Sequence, residues 1–427
     1  MPEPKEHVQA PAMATVAFAV RRREPVLVGP AAPTPRETKR LSDIDDQETL
    51  RGQVPFLLCY RGGAPAHADG RHPDPGGVIR RALGEALVPY YPLAGRLREV
   101  EARKLVVDCT GEGVMFVEAD ADVRLAELEA AGLRPPFPCM DQLLFDVDGS
   151  GGVLNCPLLL IQVTRLLCGG FFMSAVAELA RGLPAPTIKP TWSRELLEAR
   201  RPPKPAFPHR EFDPVPPPPP PGDMVMRTFT FGPDDVTAIK RGIPPKLAAT
   251  TFEALTAAIW RARTAALELP PDKEVRAVAI VNFRGVPELG LPAGYYGNAC
   301  VPVAALTTAG ALLAGSLGDA VELVRGTKAA VTAEYVRSAM DLLVLRGRPF
   351  VAMANLFLVS DNRHAGFHRV DLGWGEPVYG GPAATLFGVS FFVHVENGGG
   401  EEGAVTVMIV LPRPAMNRFS SEVEALL

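Results

Sequence analysis

The sequence predicts an α/β fold in two domains, and three observations support this. Its 427 residues are 47% apolar, enough to bury more than one hydrophobic core. Stretches with strand and helix periodicity occur in both halves of the chain, a mixture typical of layered α/β folds. A proline-rich segment over 201–222 separates the halves, so we expect an N-terminal domain over 13–200, a crossover linker and a C-terminal domain over 223–427.

The N-terminal half begins with a polar stretch over 1–12, which is predicted to be a disordered extension or a misassigned start ahead of Met13. Apolar runs rich in β-branched residues predict five strands in this half, near 15–21, 54–60, 105–109, 113–117 and 158–164.

Two helices are predicted in the same half. The first covers 77–87 and ends ahead of Pro89. The second covers 172–181, because Phe172, Val176 and Ala180 are spaced four apart on one helical face.

The linker contains six consecutive prolines, Pro216–Pro221. Proline lacks a backbone N–H donor and favours polyproline II, so this stretch cannot form a helix or a central strand. We interpret it as a flexible spacer between domains. A proline-rich ligand for an SH3-like partner is the alternative interpretation.

The C-terminal half opens with a helix signal, since Thr250 and Glu253 have the spacing of a capping box ahead of apolar residues. A glycine run within 397–400 predicts that the last two strands form a hairpin. The strands predicted in this half cover 275–282, 299–304, 352–359, 387–395 and 404–411.

Charge and cysteine usage exclude several classes of protein. The 44 basic and 48 acidic residues are spread along the chain, with no cluster dense enough for nucleic-acid or membrane binding. No apolar run is long enough to span a bilayer. The six cysteines are scattered without a CxxC pair, which favours free thiols over disulfides or a zinc site. We therefore expect a cytoplasmic protein without a bound metal.

Common catalytic signatures are missing from the sequence: it has no GxSxG, GxxxxGK[ST], HExxH or complete GxGxxG. Of the seven histidines, only His209, with Asp213, fits the pattern HxxxD. This pair lies in the flexible proline-rich linker, with no preceding strand. Because a general base must be held within hydrogen-bond reach of the proton it removes, we predict that His209 is not catalytic.

The most specific motif is DLGWG over 371–375, whose glycines and tryptophan indicate a structural turn. Other motifs precede it in order: PTPRETK and LSDIDDQ within 33–47, YYPLAGR over 90–96 and YYGN over 295–298. Together they resemble the motifs of plant BAHD acyl-CoA-dependent acyltransferases, in particular the alcohol acyltransferase branch with its benzyl alcohol benzoyl- and acetyltransferases. The resemblance covers nearly the whole chain after Met13.

This resemblance implies a two-domain, chloramphenicol-acetyltransferase-like sandwich with a solvent channel between the domains. It implies a monomer that transfers an acyl group to an alcohol hydroxyl, with acyl-CoA as co-substrate and no permanently bound cofactor. The residues that would line the channel and contact acyl-CoA are Tyr296, Gly297, Asn298 and Ser360.

The DLGWG motif is structural in this family. The resemblance therefore implies a structural role for its five residues here, Asp371, Leu372, Gly373, Trp374 and Gly375. Leu372 stands where the family has phenylalanine and keeps an apolar side chain without the ring. In the family the motif's Asp pairs with an Arg from an N-x-R-G strand end, so we predict an ion pair between Arg284 and Asp371.

One segment of the family pattern is missing. In the family, the CGGF turn leads into a strand and the catalytic HxxxD; here Phe171 is followed at once by Phe172, and no histidine lies between Val153 and Phe207. We therefore assign no catalytic residue and expect the N-terminal domain to lack a core strand. Three interpretations stay open: an acyltransferase with little or no turnover, a non-catalytic acyl-CoA-binding or regulatory protein, and an incorrect gene model or splice form of an active enzyme.

Overall fold

The computed structural model describes residues 16–62, 74–147, 152–173, 188–216, 222–386, 388–394 and 403–427. Its strands within these residues are β1 (Val20–Arg22), β2 (Val26–Val28), β3 (Thr38–Arg40), β4 (Phe56–Tyr60), β5 (Arg96–Glu99), β6 (Leu105–Asp108), β7 (Val114–Ala121), β8 (Leu160–Leu166), β9 (Phe171–Met173), β10 (Met224–Phe231), β11 (Glu274–Asn282), β12 (Cys300–Thr308), β13 (Leu356–Asp361), β14 (Tyr379–Pro382), β15 (Val389–His394) and β16 (Val405–Pro412). Its α-helices are α1 (Pro75–Ala86), α2 (Leu125–Ala130), α3 (Met140–Leu143), α4 (Pro233–Arg241), α5 (Thr251–Ala266), α6 (Ala309–Ala314), α7 (Leu317–Ala329), α8 (Ala333–Leu345) and α9 (Arg413–Glu424).

A seven-stranded sheet forms the core of the N-terminal half. Its strand order is β1-β7-β8-β9-β4-β14, and β2 also pairs with β7. β7 and β8 run parallel, whereas β8, β9 and β4 alternate in direction. Ile79 and Leu83 of α1 are almost completely buried in one core with Phe116 of β7 and Val163 of β8. The apolar face of α1 therefore covers the centre of this sheet.

The strand expected to be missing from this sheet is present in a shortened form. β9 has three residues, and Phe171 pairs both with Arg165 of β8 and with Tyr60 of β4. The expectation of an absent core strand is therefore corrected to a strand of three residues. The helix predicted over 172–181 is wrong at its start, because two open strand edges offer ladder hydrogen bonds that only an extended chain can make. Residues 174–187 lie outside the described residues.

A six-stranded sheet of order β10-β16-β15-β13-β11-β12 forms the core of the C-terminal half. β13 runs parallel to both of its neighbours. Helices α5, α7 and α9 pack on one face of the sheet, and Trp260 of α5 is fully buried there. Leu342 and Leu343 of α8 are buried on the opposite face with Val278 of β11 and Leu358 of β13.

Two local predictions in this half are confirmed. Thr250 and Glu253 form the capping box: Thr250 Oγ1 accepts from Glu253 N at 3.3 Å, and Glu253 Oε2 accepts from Thr250 N at 2.9 Å. β15 and β16 pair antiparallel, as predicted for a hairpin, although residues 395–402 between them lie outside the described residues.

β14 belongs to the second half of the chain but completes the first sheet. Tyr379 pairs with Cys59 of β4, and Pro382 pairs with Phe56. Leu372, which precedes β14, is fully buried in the core of the N-terminal half. A boundary at residue 222 therefore does not separate the two sheets completely, and the domain limits stay predictions.

The proline-rich crossover is fixed against α8 over its described part. Lys204 N donates to Asp341 Oδ2 at 2.8 Å, and the backbone N–H groups of Ala206 and Phe207 donate to Ser338 Oγ at 2.8 and 3.0 Å. The expectation of a flexible spacer is therefore wrong for residues 204–207. The helix surface supplies side-chain acceptors that the composition of the linker does not reveal. Residues 217–221, five of the six consecutive prolines, lie outside the described residues.

The six cysteines are free thiols, as predicted, and Cys59, Cys109 and Cys156 are buried. Within the described part of the chain, no helix has both the length and the apolar character needed to cross a membrane.

A buried cluster of charges joins the small sheet β3-β6-β5 to the end of α8. Asp46, fully buried, lies 2.7 Å from Arg348 Nε, 3.0 Å from Arg51 Nη2 and 3.4 Å from Lys104 Nζ. Lys104 Nζ is also 2.7 Å from Asp43 Oδ1. Burial raises the pKa of Asp46, and the three cations act in the opposite direction. Removing these charges from water costs free energy, and their mutual attraction offsets that cost. Loss of one partner would leave a buried charge without compensation and would destabilise the fold.

We expect Asp46→Asn to lower the free energy of unfolding by roughly 3–5 kcal/mol, because it removes the carboxylate that three buried cations share and leaves Lys104 and Arg348 with Asp43 alone. Chemical denaturation measures this change. The matched control is Asp223→Asn, which breaks the exposed pair between Asp223 and Arg413 and should cost less than about 1 kcal/mol. Equal effects of the two substitutions would show that the buried cluster does not tie the halves together.

Candidate functional site

A cavity of about 430 Å³ is formed by residues from both halves of the chain. Its wall combines apolar side chains with several polar and charged groups, as small-molecule sites do. The residues that line it are Leu41, Asp45, Leu50, Gly52, Gln53, Pro92, Leu93, Leu97, Val107, Val153, Cys156, Pro157, Leu158, Trp192, Arg194, Arg284, Tyr296, Gly297 and Asn298.

The cavity lies beside the beginning of β8. Cys156 and Leu158 line it, and β8 begins at Leu160. β9 starts opposite Arg165 and runs antiparallel to β8, toward the beginning of that strand. A chain that continued β9 in the same register would therefore arrive at the cavity.

Arg194 is held among aromatic rings at one side of the cavity. Its guanidinium lies 4.4 Å from the centroid of the Trp192 ring, 4.8 Å from that of Tyr295 and 5.1 Å from that of Tyr296. Such contacts stabilise a cation that is largely removed from water. A Cβ atom at Gly297 would lie 2.4 Å from the same guanidinium, so the glycine permits this close approach.

Asp45 is compensated on both of its carboxylate oxygens. Oδ2 lies 2.7 Å from Arg194 Nε, and Oδ1 accepts from Asn298 N and Nδ2, both at 2.9 Å. Arg284 Nη2 donates to the carbonyl oxygen of Gly297 at 2.6 Å. The charged side chains of the lining are thus an Asp45–Arg194 pair and Arg284, which gives the cavity one net positive charge.

The described lining contains no histidine or lysine. Burial raises the pKa of the Tyr296 hydroxyl well above its usual range, so at neutral pH this group donates hydrogen bonds and cannot act as a base. Asp45 is already paired with Arg194 and accepts from Asn298. The cavity can therefore bind and orient a ligand, but the side chains of its described lining offer no free acceptor for a proton.

The structure brings together three of the four predicted channel residues, Tyr296, Gly297 and Asn298. Ser360 lies in β13, where its hydroxyl donates to Asn362 Oδ1 at 3.2 Å, and it is not part of this lining. Sequence reasoning did not single out Trp192, Arg194 or Asp45, since two segments far apart in the chain contribute them. The role of the predicted residues in acyl-CoA binding stays a prediction.

A family model described as the Transferase family matches residues 18–426. The chain belongs to this family, the BAHD acyltransferases. The match spans both sheets and the crossover between them, so it concerns the whole described fold.

Similar plant proteins are named as acyltransferases. A benzyl alcohol O-benzoyltransferase from Petunia hybrida is 51% identical over 438 aligned positions, which cover 96% of this chain and 94% of that protein. Another from Nicotiana tabacum is 51% identical over 441 positions, covering 96% of this chain and 94% of that protein. An alcohol acyltransferase from Actinidia chinensis var. chinensis, alcohol acyltransferase 16, is 46% identical over 433 positions, with coverages of 96% and 94%. Each alignment is longer than the 427 residues of this chain, so each contains positions for which this chain has no residue.

Solved structures confirm the predicted two-domain α/β fold. Vinorine synthase has a TM-score of 0.69 at 20% identity, covering 96% of this chain and 98% of that protein. The F. graminearum protein TRI101, complexed with coenzyme A and T-2 mycotoxin, has a TM-score of 0.69 at 14% identity, with coverages of 90% and 97%.

The DLGWG turn of this BAHD acyltransferase packs against β9 and lies away from the cavity. The Trp374 ring meets the Phe171 ring edge to face at a centroid distance of 5.1 Å, and Phe171 stacks on Tyr60 at 4.8 Å. Tyr60 Oη donates to Val370 O at 2.6 Å, while Leu372 is fully buried beside them. These packing contacts are those of a structural turn.

The predicted ion pair between Arg284 and Asp371 is wrong. Asp371 Oδ1 instead accepts from Gly373 N at 2.8 Å and from Gly375 N at 2.9 Å. Both glycines have positive φ, +99° and +82°, and this geometry turns their N–H groups onto the carboxylate. Among the described residues, no carboxylate pairs with Arg284, whose hydrogen bond goes to Gly297.

His209 is buried, which corrects its predicted place in a loose linker. Its Nε2 lies 2.8 Å from Ser338 Oγ and its Nδ1 lies 2.8 Å from Glu211 Oε1. Glu211 also accepts from Tyr335 Oη at 2.9 Å. Asp213 accepts from Arg210 and is not part of this network. With both ring nitrogens engaged and 2% of its surface exposed, His209 has no room for a substrate.

We expect His209→Gln to lower the free energy of unfolding by roughly 1–3 kcal/mol, because it leaves buried polar partners of the imidazole incompletely bonded. Thermal and denaturant unfolding measure this loss. His364→Gln is the matched control: His364 is exposed in a loop, and its substitution should change stability by less than about 0.5 kcal/mol. A variant as stable as the parent would mean that the network does not hold the crossover.

Proposed function

We propose that this chain is an acyl-CoA-dependent O-acyltransferase of the alcohol acyltransferase group whose turnover is strongly impaired in the present form. The observation that carries the proposal is the sequence after the CGGF turn, which lacks the HxxxD that this family places there, with no histidine between Val153 and Phe207. The alignments with relatives, longer than this chain, support the loss of a segment.

The geometry of the cavity supports the same proposal. In the family, the strand after CGGF ends in HxxxD, and a continuation of β9 along β8 would deliver that histidine to the cavity beside Cys156 and Leu158. The lining there is apolar and carries polar groups suited to orienting a ligand. The proposed lesion is thus the loss of one catalytic group from an otherwise formed site.

The missing group matters because of the chemistry of the reaction. The acceptor oxygen forms a bond to the thioester carbonyl carbon, the carbon–sulfur bond breaks, and coenzyme A leaves as a thiolate. The hydroxyl proton must pass to a base and finally to that thiolate. An alcohol is a weak nucleophile at neutral pH, so a positioned base contributes roughly 10²–10⁴-fold to the rate.

The names of the relatives suggest the substrates to test first. Benzyl alcohol as acceptor and benzoyl-CoA as donor follow from the Petunia hybrida and Nicotiana tabacum names. We further propose that the protein acts as a cytoplasmic monomer, as the free cysteines and the family resemblance suggest.

With benzoyl-CoA and benzyl alcohol, we expect the purified chain to form no ester above background. A chimera that carries, in place of 172–182, the segment that the Petunia hybrida relative has after its CGGF turn should form ester roughly 10²–10⁴-fold faster. Chromatography of the ester measures both rates. The control is the same chimera with the histidine of the transferred HxxxD changed to Ala, which should return to the rate of the chain. Ester formation by the unmodified chain at the rate of the relative would refute the impairment.

Two alternatives make different predictions. A non-catalytic acyl-CoA-binding protein would bind coenzyme A in calorimetry without forming ester, and absence of binding would remove it. An incorrect gene model or splice form is favoured by the aligned positions that this chain lacks. Sequencing the transcript across the codons of Phe171 and Phe172 decides this point, because an inserted HxxxD segment would make the natural protein an ordinary enzyme of the family.

A further inference from the structure

We propose that the cavity beside β8 binds small carboxylates that have an apolar body, such as aromatic or short-chain acids, and that Arg284 binds the carboxylate group. This proposal goes beyond acyl transfer. A free acid is not an acyl donor, and its binding needs neither the missing base nor coenzyme A.

The first argument is the balance of charge in the lining. Asp45 lies 2.7 Å from Arg194 and accepts two further hydrogen bonds from Asn298, so it is fully compensated. Gln53 adds an uncharged amide to the wall. The positive charge that remains in the lining belongs to Arg284. An anion would be attracted to this position, and the compensated carboxylate of Asp45 would repel it little.

The second argument is the hydrogen bonding of Arg284. A guanidinium carries five N–H donors in a planar fork. Here Nη2 donates to Gly297 O at 2.6 Å, and among the described residues no carboxylate accepts from the others. The bond to the backbone orients the group at the cavity while leaving donors for a ligand. A carboxylate can accept two parallel N–H···O bonds from this fork. A neutral ligand would accept weaker hydrogen bonds from it, because it lacks the charge.

The third argument is the apolar part of the wall. Leu93, Leu97, Val107 and Leu158 line the cavity together with the ring of Tyr296. Its volume of about 430 Å³ lies within the range of small-molecule sites. These side chains would remove a phenyl or short alkyl group from water, so the ligand needs an apolar body in addition to its charge.

Calorimetry with benzoate and with benzamide, its neutral isostere, tests the proposal. We expect saturable binding of benzoate to the full chain and binding of benzamide that is at least about 10-fold weaker. Arg284→Gln should weaken benzoate binding about 10-fold or more and leave benzamide binding unchanged. Arg284→Lys should lie between, because it keeps the charge but loses the planar fork.

Arg337→Gln is the matched control. Arg337 donates Nη2 to a backbone carbonyl, Glu288 O at 2.8 Å, as Arg284 does, but it is not in the lining of the cavity. The Arg337→Gln variant should bind benzoate with an affinity within about twofold of that of the parent.

Near-ultraviolet circular dichroism checks that each variant is folded. If Arg284→Gln is not folded, Arg284→Lys supplies the comparison. No saturable benzoate binding, or equal binding by the Arg284 variants and the parent, would overturn the proposal. The ester assay reports separately on impaired turnover, so one proposal can fail while the other stands.

Discussion

The sheet of the N-terminal half depends on the pairing of three residues, Phe171–Met173. This short strand pairs with β8 on one side and with β4 on the other. Without it, β4 and β14 would be separated from β1, β7 and β8, and two edges would have unpaired backbone groups. The Phe171 ring also joins Tyr60 to Trp374 of the DLGWG turn. One side chain therefore connects the backbone ladder, the core and the turn that precedes β14.

This arrangement is compatible with the proposed loss of a catalytic segment from a fold that is otherwise kept. Sheet continuity requires only a few extended residues between β8 and β4, and side chains of the right size on the core face. A general base requires more: a histidine fixed at the cavity by the chain beyond those residues. Sheet continuity and catalysis thus depend on different parts of one strand. A chain can keep the fold of the family without keeping the catalytic group.

The sequence predicted the elements whose signals are local. The β-branched run over 158–164 and the capping box of Thr250 and Glu253 correspond to β8 and α5. Prediction from the sequence failed where residues far apart in the chain determine the local structure. The spacing of Phe172, Val176 and Ala180 suits a helix, but pairing between two strand edges makes Phe172 extended. His209 looked mobile because its partner Ser338 lies far along the chain. The ion pair expected by family analogy failed because Asp371 binds the amides of its own turn.

The two arginines at the cavity account for the proposed separation of ligand binding from turnover. Arg194 is neutralised by Asp45 and enclosed by aromatic rings. Its charge therefore stabilises the wall of the cavity and is not available to a ligand. Arg284 has no carboxylate partner among the described residues and leaves the cavity positive. A cation can stabilise negative charge on a ligand or in a transition state, but it cannot remove a proton from an alcohol. The positive cavity therefore favours occupation by an anion, whereas the proposed acyl transfer depends on a proton acceptor that the described part of its lining does not supply.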